Sequence, residues 1–82
     1  MNLFHWTDAA KTDLRSIDRE QALTILLHLT DYGFTGKGDV KQLKGSTDFR
    51  LRVGDYRVRY ESTEERGGLR ILEVKHHREA YR

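Results

Sequence analysis

Two periodicities divide the chain. Between Asp8 and Tyr32 apolar residues recur every three or four positions, and from Phe49 onward they recur every second one. Thr7 before Asp8 has the form of an N-cap with an acid in the first turn. Ala10, Leu14 and Ile17 then share a helical face, which predicts a short helix over 8–16. Asp18 with Gln21 three residues on resembles a capping box. Ala22, Ile25, Leu26 and Leu29 follow at helical spacing, with Leu23 and Leu27 widening the stripe. The second helix is therefore expected over 19–32, closed by Gly33 at the position after its C-cap. A stripe this wide implies burial on two sides, against a sheet and against the first helix. Residues 2–6 (NLFHW) form an apolar-aromatic run and are assigned to a first strand. Residues 33–46 are expected to be a glycine-rich connector with Val40 and Leu43 pinned to the core.

The second half alternates. Phe49, Leu51 and Val53 are separated by Arg50 and Arg52, and Tyr56, Val58 and Tyr60 by Arg57 and Arg59. Gly54-Asp55 between them suits a two-residue hairpin turn with glycine at its first central position. Counting outward from that turn pairs Val53 with Tyr56, Arg52 with Arg57, Leu51 with Val58, Arg50 with Arg59, and Phe49 with Tyr60. This register puts every apolar side chain on one face and every arginine on the other, and a slip of one residue would destroy the separation. It also sets two pairs of like charges directly opposite each other, which is destabilising. At ~5.5 Å and an effective dielectric of about 20 the repulsion is about 3 kcal/mol per pair. An anion must offset it, either acidic side chains such as Asp48, Glu61 and Glu73 or a polyanionic ligand. After a turn at 62–68 the run 69–75 (LRILEVK) predicts a fourth strand, in which Leu69 and Ile71 compete with Leu72 and Val74 for the core.

Eighty-two residues support one domain, expected over 1–82, with a small core. Leu, Ile, Val and Phe make up 20 of them, about a quarter, which favours a folded chain over a disordered one. With no cysteine there is no disulfide and no thiolate metal site. No apolar run reaches the roughly 18–20 residues that span a bilayer. The N-terminus lacks a cationic start and apolar stretch, so the expectation is a cytoplasmic protein with no membrane partner. Net charge is only +2, but its distribution is uneven. Residues 1–41 carry 5 basic and 6 acidic side chains, and residues 42–82 carry 10 and 7. Arginine forks match phosphate well, so the second half is where an anionic partner would sit.

The residues Leu43-Lys44-Gly45, then Phe49-Arg50-Leu51-Arg52-Val53-Gly54-Asp55-Tyr56-Arg57-Val58, then Val74-Lys75-His76-His77-Arg78-Glu79-Ala80-Tyr81-Arg82 closely resemble the RelE/ParE superfamily of bacterial type II toxin–antitoxin toxins, and its RelE branch above all. The resemblance covers nearly the whole chain. It implies an α+β fold: an antiparallel sheet of about four strands in the order β-α-α-β-β-β, with two N-terminal helices on one face. It further implies a metal-independent, ribosome-dependent mRNA endonuclease without cofactors, acting on ribosome-bound mRNA. A cognate antitoxin protein would hold it inactive, and a DNA operator would be reached only through the toxin–antitoxin complex. ParE-like relatives share the fold but inhibit DNA gyrase by binding, and a family member that has lost cleavage is a third reading.

Cleavage of RNA by its own 2′-hydroxyl needs a base, an acid for the departing 5′-oxygen, and cations for the extra phosphorane charge. On the family pattern Arg50, Arg52 and Arg57 bind phosphate and stabilise that charge. Arg50 and Arg52 stand where relatives often carry lysine. Arginine hardly deprotonates, which leaves the base unassigned. Relatives commonly read His-Arg-Arg or His-Arg-Lys near the C-terminus, and here the run is His76-His77-Arg78. His77 or Arg78 is thus the candidate for proton transfer, and Tyr81 matches a tyrosine that orients substrate. Lys41, Lys44, Arg59 and His76 are further candidates for contact with RNA. The alternatives are solvated lysines in the connector, an exposed Arg59 and a structural His76. No metal site is expected.

Overall fold

The computed structural model describes residues 4–42, 45, 47–63 and 68–80. Strand β1 (Phe4–Trp6) leads into helix α1 (Asp8–Arg15) and helix α2 (Arg19–Thr35). Strands β2 (Asp39–Gln42), β3 (Asp48–Val53), β4 (Tyr56–Ser62) and β5 (Leu69–His76) follow, and a short helix α3 (His77–Ala80) ends the described chain. The strands form one sheet in the order β1-β5-β4-β3-β2. Only the β1–β5 pair is parallel. The α+β class is as the sequence implies, with one strand more than expected.

That strand is β2, in the segment expected to be a connector. Val40 lies opposite Leu51 and turns to the core, while Asp39 and Lys41 pair with Arg52 and Arg50. Four residues after three glycines are too few for their alternation to stand out in the sequence. Helix α2 likewise runs past Gly33 to Thr35 and closes at Gly36, whose φ of 71° is the left-handed cap that glycine adopts freely. One turn before that cap, the Tyr32 hydroxyl lies 2.6 Å from that of Tyr60. Burial, reinforced by this contact, pushes the Tyr60 phenol well above its ordinary range, so it stays neutral in the core.

The hairpin register is as counted from the sequence, from Val53 opposite Tyr56 to Phe49 opposite Tyr60. Gly54 has a φ of +57°, which the turn requires and which only glycine takes without strain. The buried core consists of Ala10, Ile25, Leu29, Leu51, Val53, Val58, Tyr60, Ile71 and Val74. A bulge in β5 explains why both phases of that strand compete for it. Tyr60 pairs with Ile71 but Arg59 pairs with Glu73, so Leu72 is an extra residue. Leu69 and Ile71 therefore face inward before the bulge and Val74 after it, while Arg70 and Glu73 face outward.

Helix α1 lies along β5 and α2 packs on β3. Burial of α2 on two sides is not what forms: Ile25 and Leu29 are buried, whereas Leu23 is 50 % and Leu27 70 % exposed. The first helix is instead committed to the sheet edge. The Thr7 hydroxyl accepts from the Ala10 N–H and donates to the Ile71 carbonyl at 2.8 Å. Because β1 pairs with β5 only as far as Ile71, the edge beyond it needs another partner. Asp13 supplies one, accepting from the Val74 N–H at 3.0 Å and from Lys75 at 2.9 Å.

Asp13→Ala should strand the half-buried polar groups it now satisfies. The expected loss is about 1–3 kcal/mol of unfolding free energy, read from urea denaturation, with Thr12→Ala as a neutral neighbour. Leu29→Ala, which opens a cavity between α2 and the sheet, should cost about 2–5 kcal/mol in the same assay.

Candidate functional site

Cross-strand pairing organises the outer face into rows. Nearest the hairpin turn stand Asp39, Arg52, Arg57 and Lys75, one from each of β2 to β5. The next row is Lys41, Arg50, Arg59 and Glu73. The third is Asp48, Glu61 and Arg70. Charge thus runs from basic at the turn to acidic at the far end.

Ion pairing divides this face further. Arg59 reaches Glu73 at 2.8 Å and Asp48 at 3.6 Å. Arg70 holds Glu61 at 2.8 Å, and Lys75 turns around the edge to Asp13. Lys41, Arg50, Arg52 and Arg57 stand together on the same face. With Asp39 they line a shallow cleft of about 180 Å³. Among the described residues the lining carries four cations against one carboxylate.

The two opposed arginine pairs relax in different ways. Arg59 is drawn away from Arg50 by its carboxylates. Arg52 folds back, donating through Nε to the Gly54 carbonyl at 3.3 Å. Arg57 leans the other way, with Nη2 at 3.3 Å from Nδ1 of His77. A guanidinium has no acceptor, so Nδ1 of His77 accepts and the ring proton sits on Nε2. His77 is fixed by its own N–H, which donates to the Asp55 carbonyl of the hairpin turn at 2.6 Å. The first residue of α3 is thereby tied to the mouth of the cleft.

The structure brings together Arg50, Arg52, Arg57 and Lys41, and places His77 at their edge. It does not gather every candidate. Arg59 is committed to two carboxylates rather than offered to a ligand. His76 pairs with Tyr56 and packs edge-on against its ring, 5.2 Å away, on the helix side of the sheet. Arg78 is exposed at the start of α3, its N–H held by Nδ1 of His76. Lys44 and Tyr81 lie outside the described residues, as does Leu43. Asp39 does not stand out in the sequence, because its position in the sheet depends on strand β2. Among the described residues no group of three or more His, Asp or Glu side chains gathers as metal ligands.

The family profile of the ParE toxin of type II toxin–antitoxin systems matches residues 4–81. Among solved structures, the fold is similar to that of the RelB–RelE antitoxin–toxin complex from Methanococcus jannaschii, with a TM-score of 0.77, 22% identity, and 94% of each chain covered. It is also similar to the archaeal RelE–RelB complex from Pyrococcus horikoshii OT3, with a TM-score of 0.74, 23% identity, and 90% of this chain and 92% of that one covered. A YoeB/ParE toxin from Agrobacterium tumefaciens gives 0.76 at 19% identity, covering 94% of this chain and 99% of that one. No curated protein matches the sequence.

The difference between Arg50 and Arg52, which line the cleft, and Arg59, which two carboxylates hold, has a measurable consequence. Binding of a short single-stranded RNA, followed by fluorescence anisotropy from 50 to 300 mM salt, should weaken in Arg50→Ala and in Arg52→Ala. Each should also flatten the logarithmic salt slope by about 0.7, the increment for one phosphate that is no longer neutralised. Arg59→Ala should leave the slope nearly unchanged, since its charge is already balanced by Asp48 and Glu73.

Proposed function

The chain belongs to the ParE toxin family, within the RelE/ParE superfamily of type II toxin–antitoxin systems, and from that premise we propose that it is a metal-independent endoribonuclease that cleaves ribosome-bound mRNA and so stops translation. One observation carries this reading: an imidazole, His77, sits against Arg57 at the edge of a cleft lined by Arg50, Arg52 and Lys41. A surface that only adheres to a partner protein needs no titratable group beside clustered phosphate-binding cations. A surface that breaks a phosphodiester needs both.

In the proposed reaction Arg50, Arg52 and Arg57 bind the non-bridging oxygens of the scissile phosphate. Their attraction grows as the phosphorane gains negative charge, which lowers the barrier rather than only tightening binding. His77 takes up a second proton as Arg57 turns from Nδ1 to the phosphate, and as the imidazolium it donates from Nε2 to the departing 5′-oxygen, while Tyr81 positions the nucleotide. Arg78 is the second candidate for proton transfer, and Lys41 and Lys44 extend the contact along the RNA backbone. The product ends are a 2′,3′-cyclic phosphate and a 5′-hydroxyl. A cognate antitoxin with an acidic segment would silence the site by covering these cations or by displacing the segment that begins at His77. The protein would work in the cytoplasm, where ribosomes are, and no helix of the described chain is long and apolar enough to cross a membrane.

The family profile that matches favours a second reading, a toxin that inhibits DNA gyrase by binding it. The two readings separate in one experiment. After induction, mRNA 5′ ends are mapped on ribosomes while purified protein is assayed for inhibition of gyrase supercoiling. The proposal expects new in-frame 5′ ends and unimpaired supercoiling. Arg57→Ala should slow single-turnover cleavage by about 10²-fold or more, the usual loss for a charge-stabilising donor. Supercoiling inhibition without new 5′ ends would establish the second reading instead.

A further inference from the structure

The charged face holds one carboxylate in the cleft that has no part in the reaction as proposed. Asp39 lies on β2, directly opposite Arg52 in the row nearest the hairpin turn. It is exposed, and it is the one acidic residue lining the cleft among those described. The other carboxylates of this face are occupied: Asp48 and Glu73 by Arg59, Glu61 by Arg70, and Asp13 by Lys75. Arg50, Arg52 and Arg57 cannot act as bases, because a guanidinium keeps its proton.

We infer that Asp39 is the general base of this cleft, an inference that rests on the endoribonuclease reading. Its placement relative to His77 is what attack by a 2′-oxygen requires. The attacking and departing oxygens lie on opposite sides of the phosphorus. The base must therefore stand on one side of the phosphate-binding cations and the acid on the other. Asp39 is on β2, Arg52 on β3, and Arg57 on β4 with His77 beyond it. Neighbouring strands are about 4.8 Å apart, so the backbones of β2 and of β5, which His77 follows, are separated by roughly 14 Å, a gap that the Asp39 side chain in the cleft and the His77 ring against Arg57 narrow from both sides. A phosphate with its two reacting oxygens in line, and a hydrogen bond of about 3 Å at each end, fits that width.

The proton balance closes without another reactant. The Asp39 carboxylate takes the 2′-hydroxyl proton as the 2′-oxygen bonds to phosphorus. The bond from phosphorus to the 5′-oxygen breaks, and the imidazolium form of His77 supplies the proton to that oxygen from Nε2, becoming the neutral imidazole. Solvent then takes the proton from Asp39 and returns one to His77.

Asp39→Asn separates a base from a mere counter-charge, because the two roles predict opposite signs. Removing a negative charge from a cationic cleft should tighten binding of single-stranded RNA several-fold. Single-turnover cleavage of mRNA in programmed ribosomes should nonetheless fall by about 10²-fold or more. Asp39→Glu, which keeps the carboxylate, should restore a substantial part of the rate. Cleavage by Asp39→Asn at the wild-type rate or faster would overturn the assignment while leaving the nuclease reading intact. Absence of cleavage by the wild-type protein would overturn that reading and the assignment with it.

Discussion

The β3–β4 hairpin can be built in only one register. Gly54 at positive φ closes the turn, and the pairing that follows gives one face Leu51, Val53, Val58 and Tyr60, all buried, and the other face four arginines. A shift by a single residue would put guanidinium groups under the helices, and the cost of burying such a charge exceeds anything a core this small could offset. The core and the cleft are thus two sides of one constraint. Tyr32 and Phe49 pack around Tyr60 on the inner side because Arg50 and Arg59 must lie on the outer side.

The same constraint produces a repulsion that the fold disposes of unevenly. A face on which carboxylates held every cation would be a solvated ion-pair lattice with little need of an anion. Instead the acids cluster on one side: Asp48, Glu61 and Glu73 engage Arg59 and Arg70, and Asp13 takes Lys75 around the edge. Exposed pairs of this kind add little stability, typically below about 1 kcal/mol each. Their effect is on the distribution of potential. They neutralise Arg59, Arg70 and Lys75, while Lys41, Arg50 and Arg52 give the cleft its cationic lining next to the segment that His77 begins. The bulge at Leu72 contributes to this, since it turns Glu73 outward toward Arg59 while keeping both Ile71 and Val74 in the core.

The hairpin, its arginine face and the caps of α1 and α2 are legible in the sequence because each rests on a local rule. Alternation fixes a strand's faces, a turn glycine fixes a register, and Thr7 and Asp18 announce their helices. What is not legible depends on distant partners. Strand β2 exists because β3 offers it an open edge, and four residues among glycines carry no signal of that. Gly33 reads as a helix end because glycine costs about 1 kcal/mol inside a helix. The helix continues through it, and the Tyr32–Tyr60 contact lies near its last turn. The apolar width of α2 suggests a second packing surface, yet Leu23, Leu27 and Phe34 remain exposed. Of the candidate site, the cations that line the cleft are visible by type and phase. Asp39 is hidden with its strand, and the division of the arginines into carboxylate-paired and cleft-lining ones depends on side-chain geometry that no spacing encodes.

Arginine at positions 50 and 52, where related toxins often have lysine, has a consequence for how the site must divide its work. A lysine ammonium in a crowded cationic cleft can give up its proton and so combine charge stabilisation with proton transfer. A guanidinium cannot, and its charge stays constant across the physiological range. On the nuclease reading proposed above, a site built on Arg50, Arg52 and Arg57 would hold phosphate with undiminished strength and would have to obtain its proton chemistry from other residues. Under that proposal the sheet would provide for this by geometry. The row that contains Arg52 and Arg57 has a carboxylate on the strand at one end of the pair and an imidazole against the guanidinium at the other. Cations in the middle with titratable groups on both flanks is the order in which an in-line displacement meets them.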